Sequence, residues 1–287
     1  MTTDPPSASP FPDPPSSPSG PLARVSLLLG PAAMERLASA TVLIAGVGAV
    51  GAAVSESLVR SGVRNLHLVD FDTVQPSNLN RHPFAFQSTL GVPKTEAAAR
   101  FLRDIAPDLS LTLHPLFLDA ATAPPLLDSV RPDILIDAID SLLPKTELLL
   151  AASLASPPIP HILSCMGAAR KLDPSLFRVT PLDDTHTCPL ARLLRKRLHR
   201  RLPSNRILAV WSPEFPADLP HTDPAPGDLH PRGRTRIPLP SYHPATSAAA
   251  SVAAAAAIRL LIFRTDQKSV ATTRGTWFCP GLELFSK

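Results

Sequence analysis

The segment Gly46-Val47-Gly48-Ala49-Val50-Gly51 carries the first chemical signal in this chain. In a G-x-G-x-x-G turn the first glycine permits a tight bend, the second lets backbone approach an anion, and the third admits a close-packed helix. The helix that follows such a turn begins with N–H groups lacking intrahelical partners, so the turn seats phosphate. Asp70 stands at the end of the next apolar run, where a carboxylate accepts from ribose hydroxyls, and Asp72 is a further nucleotide-binding candidate beside it. On its own the turn says nucleotide and does not separate a nicotinamide dinucleotide from ATP. The residues after it bear on that choice. Ser77-Asn78-Leu79-Asn80-Arg81-His82 precedes Gly91-Val92-Pro93-Lys94, and Asp140 closes Ile136-Asp137-Ala138-Ile139-Asp140. Hydride transfer needs no convergent cations beyond the pyrophosphate. Displacement at the α-phosphate of ATP does, because cations must neutralise developing phosphoryl charge and a carboxylate must hold magnesium. Arg81, Lys94 and Asp140 are the candidate catalytic residues, with Asp140 the candidate magnesium ligand. Singly, Lys94 also reads as a solvated first-turn lysine and Asp140 as a helix cap.

A second cluster is purely cationic. Arg192, Arg195, Lys196, Arg197, Arg200, Arg201 and Arg206 follow one another with no acid between them, while Leu190, Leu194, Leu198 and Leu202 fall four apart. That pattern is a helix with one apolar stripe and much of its remaining surface positive. Clustered cations release counterions from nucleic acid, and the competing reading is an ordinary solvated face. Three cysteines, none in a C-x-x-C pair, exclude a disulfide framework and a four-cysteine zinc site, and suit a reducing, cytoplasmic setting. Cys188, two residues from His186, is an alternative acyl-accepting thiol. Cys165 and Cys279 read as inert.

The elements that must hold these groups alternate. Met34–Ala40 reads as a short helix, Thr41–Ala45 as a strand buried on both faces, Ala52–Ser61 as a helix stopped by Gly62, and Leu66–Asp70 as the next strand. A helix runs from Pro93 to Ile105, with strands expected at Ser110–Pro115, Ile134–Ile139, Pro160–Ser164 and Phe177–Thr180. Strands alternating with helices imply parallel crossovers, hence a doubly wound, mostly parallel α/β sheet of the Rossmann-like type. Proline, 35 of 287 residues, is well above its usual share of about 5%. It concentrates in residues 1–21, expected as a disordered tail with neither a basic n-region nor an apolar core, and in residues 203–244, expected as an irregular insert. Residues 22–202 form the expected nucleotide-binding domain, completed by 245–287. The alanine-rich stretch from Ala248 to Phe263 carries Arg259 and reads as a buried or dimer-contacting helix rather than a membrane span. A net charge of +4 is permissive of an anionic partner.

The stretch from Asp70 to Asn78, Arg81 and Lys94 resembles the ubiquitin-activating-enzyme-like superfamily, which includes the adenylating enzymes of thiamine and molybdopterin synthesis. In the second half, Met166-Gly167-Ala168-Ala169-Arg170-Lys171-Leu172-Asp173-Pro174 and Thr185-His186-Thr187-Cys188-Pro189 are similar to the tRNA threonylcarbamoyladenosine dehydratases. The resemblance covers about residues 34–215 and implies that ATP activates the carboxylate of a modified adenosine in tRNA, which then cyclises. It further implies ribose binding by Asp70, triphosphate binding by Asn78, Arg81 and Lys94, magnesium on Asp140, a homodimer, and tRNA contact by Arg192, Arg195, Lys196, Arg197, Arg200 and Arg201. It offers Arg24 as the counterpart of an arginine that related enzymes extend to the partner subunit's nucleotide. The alternative within the superfamily is an activator of a ubiquitin-like or sulfur-carrier protein. The chain departs from the family pattern at Arg170, often a small polar residue, and at Cys188, often acidic.

Overall fold

A computed structural model describes residues 19–202, 206–218 and 239–263. Most of the disordered-tail assignment, much of the proline-rich insert and Cys279 therefore lie outside the described residues. Two short helices, α1 (Ala23–Leu29) and α2 (Pro31–Ser39), lead into β1 (Thr41–Ala45). There follow α3 (Ala49–Arg60), β2 (Asn65–Val69), α4 (Lys94–Ile105), β3 (Ser110–His114), α5 (Ala123–Val130) and β4 (Ile134–Asp137). The second half supplies α6 (Leu142–Leu154), β5 (His161–Cys165), β6 (Arg178–Pro181), α7 (Pro189–Leu198), β7 (Ile207–Trp211) and α8 (His243–Ile262).

The seven strands form one sheet in the order β3-β2-β1-β4-β5-β7-β6, parallel except where β6 runs against β7. Val42 to Ala45 of β1 are wholly buried, because helices cover both faces. Val42 and Ile44 pack toward α3, α4 and α8, whereas Leu43 and Ala45 pack toward α5, α6 and α7. From β1 the chain turns outward through α3 to β2, and from β4 it turns the other way through α6 to β5. The order reverses between β1 and β4, so their carboxyl ends open a crevice, the usual binding position in such sheets.

Three expectations need correction. Residues 207–211, placed inside an irregular insert, are instead β7, an interior strand of the sheet. The run Ile-Leu-Ala-Val-Trp is short and apolar, and the prolines on either side mask it. The last helix begins at His243 rather than Ala248, with Pro244 in its first turn, where no backbone donor is required. The strand expected over Ile134–Ile139 ends at Asp137, which bends the chain away so that Asp140 lies on a loop. Helices α5 and α6 also appear where no helix was expected; each carries proline in its first turn, Pro124 and Pro125 in one and Pro144 in the other. Helix α8 is long and apolar enough to cross a membrane by length and composition, but most of it is buried within the fold, largely against α3.

Candidate functional site

The glycine turn is fixed by steric necessity before any ligand is considered. A Cβ on Gly51 would lie 1.9 Å from the carbonyl oxygen of Gly46, so α3 can start this close to β1 only with glycine there. Gly46 adopts φ +88°, and a Cβ on it would press on the backbone of Ala138 at 2.9 Å. Gly48 differs: a Cβ there would meet nothing within 4 Å. The turn is therefore packed hard against the loop after β4 on one side and open on the other, at the N-terminus of α3.

Asp70 closes the turn from below. Its Oδ2 accepts from the Val47 N–H at 2.7 Å and its Oδ1 from the Asp72 N–H at 2.9 Å. Burial raises its pKa, an effect that the ammonium of Lys94 opposes. Each carboxylate oxygen retains a second lone pair, which is the capacity a ribose hydroxyl needs. Residues 72–74 run antiparallel to 91–94 through the Val74 N–H to Val92 carbonyl and Lys94 N–H to Asp72 carbonyl bonds. This short ribbon brings Lys94, first residue of α4, back beside Asp72, with Nζ 3.0 Å from Oδ2. Lys94 is 9% exposed, which rules out the solvated first-turn lysine.

Asn78 is used locally: its side-chain oxygen accepts from the Gln75 N–H at 3.0 Å and shapes the single 3-10 turn Pro76–Asn78. That turn delivers Arg81, one of whose terminal nitrogens donates to the Ser77 carbonyl and to the Asn80 side chain, both at 2.8 Å. Asn80 in turn donates to the Ser241 carbonyl at 3.1 Å, so the segment before α8 braces the arginine. Burial lowers the pKa of Arg81, and the nearby Asp140 carboxylate opposes the shift. Burial lowers the pKa of the His82 imidazole beside the glycine turn, and the charges of Lys94 and Arg81 act in the same direction.

Asp140 is exposed, on the loop between β4 and α6, and accepts from the Ser141 hydroxyl at 3.1 Å. Ser141, and not Asp140, occupies the N-cap position of α6. What holds that loop escaped the sequence reading. Asp137 and Lys145 are fully buried, with Nζ 2.7 Å from Oδ2. Ser164 donates to the same oxygen at 2.6 Å, Ile139 N–H to Oδ1 at 3.0 Å, and Lys145 also reaches the Ile139 carbonyl at 2.9 Å. Every polar atom of the pair is thus engaged, as burial requires. An apolar cleft of about 290 Å³ opens between Phe117–Ala120 and the start of α6, where Leu143, Pro144 and Glu147 line it with Arg201. Among the described residues no group of three or more histidine, cysteine or acidic side chains is placed to hold a metal, so Asp140 stands as a single carboxylate at the crevice mouth.

The loop after β5 is tied down from above. Glu214 accepts from the N–H groups of Leu172 and Asp173, and Lys171, buried, donates to the Glu214 carbonyl. Arg170 has φ +61° and accepts from the Ala217 N–H while donating its own N–H to Pro240, each at 2.8 Å. The helix is shorter than expected: α7 ends at Leu198, with Leu194 and Leu198 buried and Leu190 partly so, while Leu202 is buried beyond its end. The cationic face is narrower than expected. Arg195 caps the Thr185 carbonyl at 2.7 Å and Arg201 pairs with Glu147, also at 2.7 Å. Arg192, Lys196, Arg197 and Arg200 remain exposed. Cys188 is buried among Leu182, Ala191 and Trp211 and is out of reach of an acyl donor.

The ThiF family profile matches residues 22–277. A Saccharomyces cerevisiae protein named tRNA threonylcarbamoyladenosine dehydratase 2 is 37% identical over 66% of this chain, a match spanning 42% of that relative. The Bacillus subtilis tRNA threonylcarbamoyladenosine dehydratase is 34% identical over 67% of this chain and 74% of its own. The crystal structure of the Escherichia coli tRNA N6-threonylcarbamoyladenosine dehydratase with ATP superposes with a TM-score of 0.72 at 26% identity, covering 84% of this chain and 93% of that one. The same enzyme has been solved with AMP.

Proposed function

The chain belongs to the ThiF family, and from that premise we propose that it uses ATP to convert threonylcarbamoyladenosine in tRNA to its cyclic, dehydrated form. What supports this reading is the glycine turn itself, open on one side at the head of α3 and tied through Asp70 and Asp72 to the buried Lys94. Asp70 takes the ribose hydroxyls, and the apolar cleft between Phe117–Ala120 and Leu143 accommodates the base. The substrate carboxylate attacks the α-phosphorus and diphosphate leaves. Arg81 and Lys94 stabilise the charge that builds on the phosphoryl oxygens, an effect worth about 10²- to 10³-fold per well-placed donor. The acyl adenylate is then closed by the neighbouring carbamoyl nitrogen or oxygen and AMP leaves, with proximity supplying most of the acceleration. Asp140 is the residue that would hold magnesium, which would neutralise triphosphate charge there.

The outward cations Arg192, Lys196 and Arg197 of α7, with Arg200 in the turn after it, supply phosphate contact to tRNA in this reading. Leu27 and Leu28 on α1, each 71% exposed, support a homodimer, with Arg24 on the same helix. The free thiols Cys165 and Cys188 suit the cytoplasm. Incubation with ATP and tRNA bearing threonylcarbamoyladenosine, read by mass spectrometry of nucleosides, is expected to yield the cyclic product. Lys94→Ala is expected to lower that rate at least 10²-fold. A protein that binds ATP yet forms no cyclised nucleoside would reject the substrate assignment.

A further inference from the structure

We infer that His82 is a positioning residue for the phosphate seat: by holding the carbonyl of Val47 it aims the N–H of Gly48 at the bound nucleotide. This rests on the nucleotide reading above. The imidazole is 5% exposed. Its Nδ1 lies 3.1 Å from the backbone nitrogen of Phe84, which can only donate, so Nδ1 is the acceptor and the ring proton sits on Nε2. That proton is donated to the Val47 carbonyl at 2.8 Å. Burial, with Lys94 and Arg81 acting in the same direction, pushes the imidazole pKa down to about 4, so this neutral tautomer persists at ordinary pH.

The consequence follows from peptide geometry. In a trans peptide the carbonyl and the following N–H point to opposite sides. A Val47 carbonyl fixed on His82 therefore turns the Gly48 N–H the other way, while Asp70 fixes the peptide before it through the Val47 N–H. Gly46 N–H is spent on the Val69 carbonyl and Val47 N–H on Asp70. Gly48 is thus the first residue of the turn whose N–H can serve an anion, and it stands immediately before the first turn of α3.

Calorimetric titration of the full chain with ATP and with adenosine tests this. His82→Gln retains an amide donor for Val47 and an acceptor for Phe84; His82→Phe retains a buried ring and loses both, and His82→Leu serves the same purpose if the larger ring impairs folding. ATP affinity is expected to fall about tenfold or more in the apolar variants and to return to within about threefold of wild type in His82→Gln, with adenosine affinity unchanged throughout. Wild-type ATP affinity in a folded His82→Phe or His82→Leu protein would overturn the inference. So would an equal loss for ATP and adenosine. A wild-type chain that binds no ATP would instead sink the nucleotide reading itself.

Discussion

Asp137 and Lys145 meet with no exposed surface on either side chain, and a buried charge deprived of its partner cannot be rehydrated where it stands. Lys145→Met is accordingly expected to destabilise the chain by about 3–5 kcal/mol in urea unfolding at neutral pH, while a loss under about 1 kcal/mol would show that Asp137 finds another partner. Neither residue announces itself in the sequence. Asp140, exposed and flanked by hydroxyl and apolar residues, attracts the eye as a ligand; Asp137 three residues earlier looks like an accident in an apolar run. Its meaning depends on Ser164 and Lys145, which come from another strand and a helix, and no local pattern links the three. His82 escapes notice for the same reason, since its partner Val47 is 35 residues away. Asp70 and Lys94 do stand out, the first through its place after the glycine turn and the second, with Arg81, through the family resemblance of the segment that carries it.

At the level of elements, β1, α3 and the turn between them were readable to within three residues, because the glycines mark where backbone must touch backbone. The second and third glycines separate folding from function. Gly51→Ala is expected to prevent correct folding, as a methyl would sit inside the Gly46 carbonyl. Gly48→Ala is expected to leave the thermal midpoint within about 2 °C of wild type, since its φ of −76° suits any residue and nothing crowds it, yet to weaken ATP binding at least tenfold by projecting a methyl into the seat. Equal midpoints and equal affinities for both variants would refute this division. Strand β7 was illegible because five apolar residues amid prolines carry no periodicity; only neighbours β5 and β6 make them a strand.

Across the whole molecule, charge is the property most open to measurement. Of the six cations of the basic segment offered as RNA contacts, two are committed to the protein, so the face toward an anionic polymer is Arg192, Lys196, Arg197 and Arg200. Converting these four to glutamine is expected to weaken tRNA binding irrespective of sequence and to flatten the plot of log affinity against log salt by up to about 3 in slope. An unchanged slope would move the RNA to another face. Amphipathic spacing revealed this helix, but neither its end at Leu198 nor which arginines pair with the protein, because Thr185 and Glu147 come from elsewhere in the chain. A last feature works on the same scale. Arg170 grips Ala217 with its carbonyl and Pro240 with its amide, so the polypeptide departs after β7 and re-enters before α8 at a single anchorage. Insertions, deletions or grafted sequences between those two points would begin and end at the same post, leaving the carboxyl end of the sheet indifferent to their length.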